Sequence, residues 1–298
     1  MTGSTQWVYP LGAAGHGPWE VSLGAGGAGI QPEGWAHTGL KTARLGAGES
    51  VKLTAEPEER IIIPLQGRFT VTVDGTDYEL RGRDSVFSGP SDVLYTGVDT
   101  AVAISAPEGG RAAVALAPAR ESYPVRLIRA EETPVELRGA GNCSRQVHNF
   151  GTPAVLEADR FIVCEVLTPA GNWSSYPPHK HDEEKDGETS LEEIYYFETR
   201  AARGAPAGVE TDPVGYARVY ASDERPIDVT AEVRTGDVVL VPYGWHGPAM
   251  AAPGYDLYYL NVMAGPGRVR EWLISDDPHH GWVRRTWENT QIDPRLPF

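Results

Sequence analysis

The chain has 298 residues, with 26 Lys and Arg against 41 Asp and Glu, a formal charge of −15 at pH 7. A surplus of that size repels phosphate-bearing partners, so it argues against nucleic acid and anionic membrane surfaces as ligands. No run approaches the ~20 apolar residues of a membrane helix, and Met1–Gln6 has neither the basic nor the apolar part of an export signal. A cytoplasmic location is expected. Cys143 and Cys164 have no CxxC spacing and are too few for a disulfide framework, so both are read as reduced thiols.

Gly (34) and Pro (24) recur along the whole length, which suits short strands joined by tight turns. In chain order, Arg60–Leu65 and Arg68–Val73 read as strand, and Asp74-Gly75 before the alternating run Thr76–Leu80 reads as a hairpin, because both turn positions want positive φ. Further strand-like runs are Val86-Phe87, Val93–Tyr95, Ala101–Ile104 and Ala112–Leu116. A second series of the same kind covers Phe161–Leu167, Glu193–Phe197, Tyr216–Tyr220, Val238–Val241 and Tyr255–Met263. Two strand-rich halves predict a duplicated all-β architecture of barrels or sandwiches. The polar stretch Glu131–Asn142 is where they are expected to meet, giving units 1–135 and 136–298. Arg268–Ile274, before Asp276-Asp277-Pro278, is predicted as one short helix.

The chemistry concentrates in the second half. Residues two apart on an extended chain share a face, so His179 and His181 in Pro177-Pro178-His179-Lys180-His181 can present both imidazoles to one ion. The run Gly236–His246 is a strand that turns through Pro242 and Gly244 and delivers a third histidine. Three imidazoles and one carboxylate suit a divalent first-row metal and leave positions for water or substrate oxygens. Glu192 and Glu193 both follow at the start of the next strand-like run, and alternation alone does not choose between them.

These residues resemble the cupin superfamily. Its first motif, a glycine, His-x-His and then a Glu, is matched at Gly171, His179, His181 and Glu193. Its second, Gly-x5-Pro-x-Gly-x2-His, is matched at Gly236, Pro242, Gly244 and His246. Two departures stand out: eleven residues separate His181 from Glu193, and Trp245 alone separates Gly244 from His246. Within the superfamily, the order Pro-Pro-His-Lys-His-Asp, an acidic insertion, Glu-Glu-Ile-Tyr-Tyr-Phe, Pro-Tyr-Gly-Trp-His, Tyr-Tyr-Leu-Asn-Val-Met-Ala-Gly and Asp-Asp-Pro-His is similar to the 5-deoxy-glucuronate isomerase family of myo-inositol catabolism. Arg145–Asn149 also fits that family, and the resemblance covers about residues 145–285.

The resemblance implies an all-β fold of two jelly-roll-like cupin barrels in one chain (a bicupin) with few short helices. It also implies one divalent ion, Zn or Mn, held in the C-terminal barrel by His179, His181, Glu193 and His246. The N-terminal half offers only His16 and His37, with no same-face pair, so that barrel is expected to be metal-free. The implied reaction interconverts an aldose acid, 5-deoxy-D-glucuronate, and the ketose acid 2-deoxy-5-keto-D-gluconate by proton transfer through an enediolate. Glu165, Glu192, Tyr195 and Tyr259 are candidates for handling that proton, and Arg145, then Arg218 or Lys180, for binding the substrate carboxylate. His148, His279 and His280 stand outside the motif, His279 being read either at the site mouth or as a surface residue, and Asp182–Glu188 reads as a solvated loop or a mobile rim. A homo-oligomer is expected. The alternatives are a uronate ketol-isomerase of pectin degradation, a metal-dependent cupin dioxygenase and a non-catalytic sugar-binding bicupin.

Overall fold

The computed structural model describes residues 5–25, 29–206, 208–222 and 225–298. Met1–Ser4, part of the segment read for an export signal, lie outside the described residues. Among the described residues the chain is nearly all strand, with short 3-10 segments, and no helix is long and apolar enough to cross a membrane.

The first half forms one curled nine-stranded sheet. Its organiser is the 16-residue strand Glu58–Val73, which pairs with Val93–Thr96 and Gly110–Pro118 along its first part and with Thr76–Arg83 and Val102–Ala106 along its second. The strand changes partners at bulges around Pro64/Gln66 and Gly67/Phe69. Pro64 has no N–H to give to a ladder, so a bulge is where a strand tolerates it. Gly67 has φ 90°, and a Cβ there would lie 2.6 Å from the Gly109 carbonyl. The Asp74-Gly75 hairpin forms as predicted, with φ 48° and 84° and Val73 paired to Thr76.

The second half folds as two sheets. The seven-stranded sheet runs in the order Val8–Tyr9, Val238–Val241, Glu192–Ala201, Tyr255–Ala264, Ile162–Thr168, Arg145–Gly151 and Val135–Arg138. Its first strand thus comes from the N-terminal end of the chain. The other sheet contains Arg225–Val233, Gly215–Ser222, Trp245–Ala251, His179–Lys180 and Ser275–Asp276, with Trp173–Ser174 also paired to Trp245–Ala251. Arg225–Val233 alternates between exposed and buried residues because one of its faces meets solvent. Ile162–Thr168 is buried at every position, since its second face is covered by the first barrel.

That covering surface is polar as well as apolar. Arg83 of the first half makes a two-pronged pair with Glu165 at 2.7 and 2.8 Å, and Tyr258 Oη donates to the same carboxylate at 2.7 Å. Arg111 pairs with Glu198 at 2.7 Å, and Glu59 accepts the backbone N–H groups of Asp159, Arg160 and Phe161. Each of these three buried carboxylates therefore has its donors, as removal from water demands.

Two predicted elements differ. Val86–Ser88 is a 3-10 turn rather than strand, capped by Ser85 Oγ, which accepts from the Phe87 N–H at 3.2 Å. Arg268–Ile274 is not helical. Arg270 instead donates to the carbonyls of Phe161, Leu156 and Gly151, while the carbonyls of Glu271 and Leu273 accept from Thr189. Its polar groups are spent on neighbouring segments, which overrides the local helical spacing.

Candidate metal centre

Strand register sorts the second barrel's side chains into two sets. Glu193 pairs with Met263, Tyr195 with Asn261 and Phe197 with Tyr259, while Cys164 and Val166 oppose Asn261 and Tyr259. Directly opposed residues share a face, so Glu193, Tyr195, Phe197, Tyr259, Asn261 and Cys164 all line the inside. The alternate positions, Glu192, Tyr196, Glu198, Tyr258 and Glu165, face the first barrel.

His179 and His246 are directly opposed in the smaller sheet, with ring centroids 4.5 Å apart, and His181 lies 4.6 Å from His246. All three are buried. Each Nδ1 approaches a backbone carbonyl: Pro177 at 3.2 Å, Leu191 at 3.2 Å and Gly244 at 3.4 Å for His179, His181 and His246 in turn. A proton held on Nδ1 leaves the Nε2 lone pairs free to converge. One ligand nitrogen from each ring lies within 4.8 Å of the others, so the triad can hold a metal ion.

Glu193 adds its carboxylate, with Oε2 at 3.2 Å from His181 Nε2 and 3.0 Å from His246 Nε2. Bonds of ~2.1 Å at right angles place neighbouring ligand atoms ~3 Å apart, so these separations match edges of a coordination polyhedron. His246 Nε2 is buried and, despite its approach to Glu193, makes no hydrogen bond of acceptable geometry, as a nitrogen reserved for a cation would. Burial pushes the Glu193 carboxyl up, but the neighbouring imidazoles of His246 and His181 outweigh it and hold it well below the usual range. Burial, then repulsion from His246 and His181, drives His179 well below an ordinary imidazole. Both groups are thus kept in the forms that bind metal.

Tyr195 and Tyr259 stand beside this cluster, 5.0 Å from each other, with Tyr195 6.3 Å from His246. Burial, and for Tyr195 the nearby Glu193 charge, raises both phenols far above their normal values, so they keep their protons at neutral pH. Tyr195 Oη is 3.0 Å from Ser175 Oγ. Arg145 faces the same interior near Tyr259. It is nearly buried, it donates from Nη1 to the Cys143 carbonyl at 3.1 Å, and among the described residues no carboxylate pairs with it.

Several expectations are corrected. Glu192 turns away and accepts the N–H groups of Ala36, His37 and Thr38 at 2.7, 2.7 and 3.2 Å, so it belongs to the contact between halves rather than to proton transfer. Glu165 is likewise committed to Arg83. Lys180 points opposite to its histidine neighbours and pairs with Asp182, Glu183 and Glu188. Arg218 lies on the outer face of the smaller sheet, paired with Asp228 and bonded to the carbonyls of Val219 and Val229. Neither cation reaches the cluster. His148 bridges Glu165 and Gln146 at 2.6 Å each within the contact between halves. His279 and His280 are exposed. The acidic run is solvated along residues 183–187, as read, while Asp182 and Glu188 at its two ends turn buried side chains onto Lys180. Cys143 and Cys164 are free and buried, and burial pushes the Cys164 thiol up to about 12.

Residues passed over in the sequence also line the interior. Asn261 presents a buried Oδ1 without a hydrogen-bond partner opposite Tyr195. Arg138, the cross-strand partner of Arg145, stacks on Trp272 at 5.4 Å. Asn261 sits inside the quoted Tyr258–Gly265 motif, which is the signal that marked it, whereas Arg138 carried none.

Two barrels in one chain, with three histidines converging inside the second, define a double-barrelled cupin with a candidate metal centre. The chain belongs to the KduI/IolB family, whose pattern matches residues 28–283. It is 41% identical over 259 residues to a 5-deoxy-glucuronate isomerase of Geobacillus kaustophilus, covering 85% of this chain and 89% of that protein. Among solved structures, an IolB-like protein from Salmonella typhimurium LT2 superposes with a TM-score of 0.81 at 35% identity, covering 93% of this chain and 98% of the other. Bacillus subtilis oxalate decarboxylase, at 12% identity and a TM-score of 0.57 over 93% of this chain and 80% of its own, shares the fold.

Proposed function

We propose that the chain is a metal-dependent aldose–ketose isomerase of the cytoplasm that converts 5-deoxy-D-glucuronate into 2-deoxy-5-keto-D-gluconate, with His179, His181, Glu193 and His246 holding one divalent ion. The observation that carries this is the convergence of three imidazoles and one carboxylate inside the barrel, whose lining also includes Arg145, a buried guanidinium with no carboxylate partner among the described residues. The Geobacillus kaustophilus relative is by its own name an isomerase of that sugar acid, which favours it over the pectin-derived uronate. The nitrogen-rich donor set suits Zn or Mn.

Isomerisation moves a carbonyl by one carbon, so a proton leaves the carbon beside the aldehyde and another arrives at the old aldehyde carbon. Charge builds on two neighbouring oxygens in between. A bound divalent ion supplies Lewis-acid stabilisation of that charge. Arg145 binds the substrate carboxylate, since its planar guanidinium is charged and meets no competing acid among the described residues. Tyr195 and Tyr259, held protonated, donate toward the developing charge. Tyr195 is fixed in that task by Ser175.

The chain is proposed to work as two units dividing near residue 135, with Val8–Tyr9 serving the second. A homo-oligomer belongs to the same proposal, supported by Val135 and Leu137, which stand 45% and 37% exposed on the terminal strand of the larger sheet.

Turnover in heavy water tests the proton route. Deuterium is expected on the former aldehyde carbon of the product, read by NMR. A product free of deuterium would mean hydride migration and would remove the enediolate.

A further inference from the structure

We propose that Asp182 is a positioning residue for the cation site, a single carboxylate that ties both histidine-bearing segments together. The proposal rests on the assignment of His179, His181 and His246 as metal ligands. Asp182 follows His181 directly, and its Oδ2 accepts the Gly244 N–H at 2.8 Å, two residues before His246. The carbonyl of the same Gly244 faces His246 Nδ1 at 3.4 Å. One residue therefore carries the link: its N–H is held by Asp182, and its C=O orients the imidazole. Gly244 has φ 84°, and a Cβ there would lie 2.6 Å from the Tyr220 carbonyl, so the turn accepts only glycine without strain.

The other oxygen of Asp182 reaches back into the first segment. Oδ1 accepts from Lys180 Nζ at 2.7 Å, and Lys180 lies between His179 and His181 on the opposite face of the strand. Glu188 Oε1 accepts from the same Nζ at 2.8 Å and from the N–H groups of Asp182 and Glu183 at 3.1 and 3.2 Å. The side chains of Lys180, Asp182 and Glu188 are 7%, 4% and 0% exposed. Arg225, at the start of the strand Arg225–Val233, closes the group by donating to Asp182 Oδ2 at 2.8 Å. Two cations thus balance two buried carboxylates, so the cluster is stable inside the protein without a ligand. The acidic insertion between His181 and Glu193 is a clasp that sets the distance from the His-x-His strand to the His246 turn. Contacts behind metal ligands of this kind are worth 10–100-fold in metal affinity.

The experiment titrates Zn and Mn into metal-stripped full-length protein by chelator competition and compares the wild type with Asp182→Asn and Arg225→Met. The amide keeps the shape of Asp182 but gives up the charged acceptor, and a 10–100-fold weaker metal affinity with one ion still bound at saturation is expected. Arg225→Met removes a partner of Asp182 and leaves its bond to Gly244, so affinity within about threefold of wild type is expected. Should Asp182→Asn fail to fold, hydrogen exchange on the wild type decides. The Gly244 amide is expected to exchange more slowly with metal bound, because a bond that favours the metal is favoured by it in return. Equal affinity in Asp182→Asn, or a Gly244 amide indifferent to metal, overturns the clasp. Failure of the wild type to bind either metal overturns the cation site itself, and the clasp with it.

Discussion

His246→Ala is expected to abolish tight metal binding and to lower kcat/KM by about a hundred- to a thousandfold, the scale on which loss of a fixed electrostatic stabiliser is felt. The fold is expected to survive. In the metal-free protein the three rings crowd one another, with centroids 4.5 and 4.6 Å from His246 to its neighbours, and His179 is already held neutral by that crowding and by burial. Removing His246 relieves this repulsion, and the strand Trp245–Ala251 keeps its pairings with Gly215–Ser222 and Trp173–Ser174. Circular dichroism and the melting temperature of the metal-free form should therefore stay close to wild type while activity collapses. Wild-type turnover in His246→Ala would mean that the imidazole serves no catalytic purpose.

Glu165→Ala is expected to have the largest effect on stability. It strips the partner from Arg83, a guanidinium buried between the barrels, and leaves Tyr258 and His148 without their acceptor. Breaking a buried pair from one side costs ~3–5 kcal/mol, because the remaining charge cannot return to water. The same pair predicts a pH dependence. Burial raises the Glu165 carboxyl, but the Arg83 charge and its hydrogen bonds prevail and hold it far below the normal carboxylate range. A depressed folded-state value means stability that is full above the unfolded carboxylate value, ~4.3, and lost as pH falls toward the folded one. Wild-type melting temperature should thus fall steeply below about pH 4.5, and Glu165→Gln should flatten that slope. Denaturant unfolding at neutral pH measures the first effect, and a drop below ~1 kcal/mol would show the pair to be energetically idle.

The histidine cluster was legible because metal ligation needs particular side chains at spacings that strand geometry enforces locally. Two residues apart placed His179 and His181 together, and the Pro242–Gly244 turn delivered His246. The same period would have excluded Lys180, which alternation puts on the far face, and it would have paired Glu193, not Glu192, with Tyr195. What it could not supply was which face was the inside. That followed only from the backbone of Ala36–Thr38 arriving from the other half to engage Glu192. Arg218 was chosen for its charge, yet its neighbour Val219 takes the inward position beside His246. Asp182 and Glu188 read as part of a solvated run because their charge is visible in the sequence, whereas Lys180 Nζ folded back upon them is not. The helical spacing of Arg268–Ile274 failed for the same reason, since the carbonyls that Arg270 binds lie more than a hundred residues away.

The most direct measurement is turnover of 5-deoxy-D-glucuronate by protein stripped of metal and then reloaded with Zn or Mn in stoichiometric steps. Activity is expected to be absent after stripping and to return in proportion to added metal, reaching its plateau at one ion per chain. Full activity in the stripped protein, verified metal-free by elemental analysis, would contradict it.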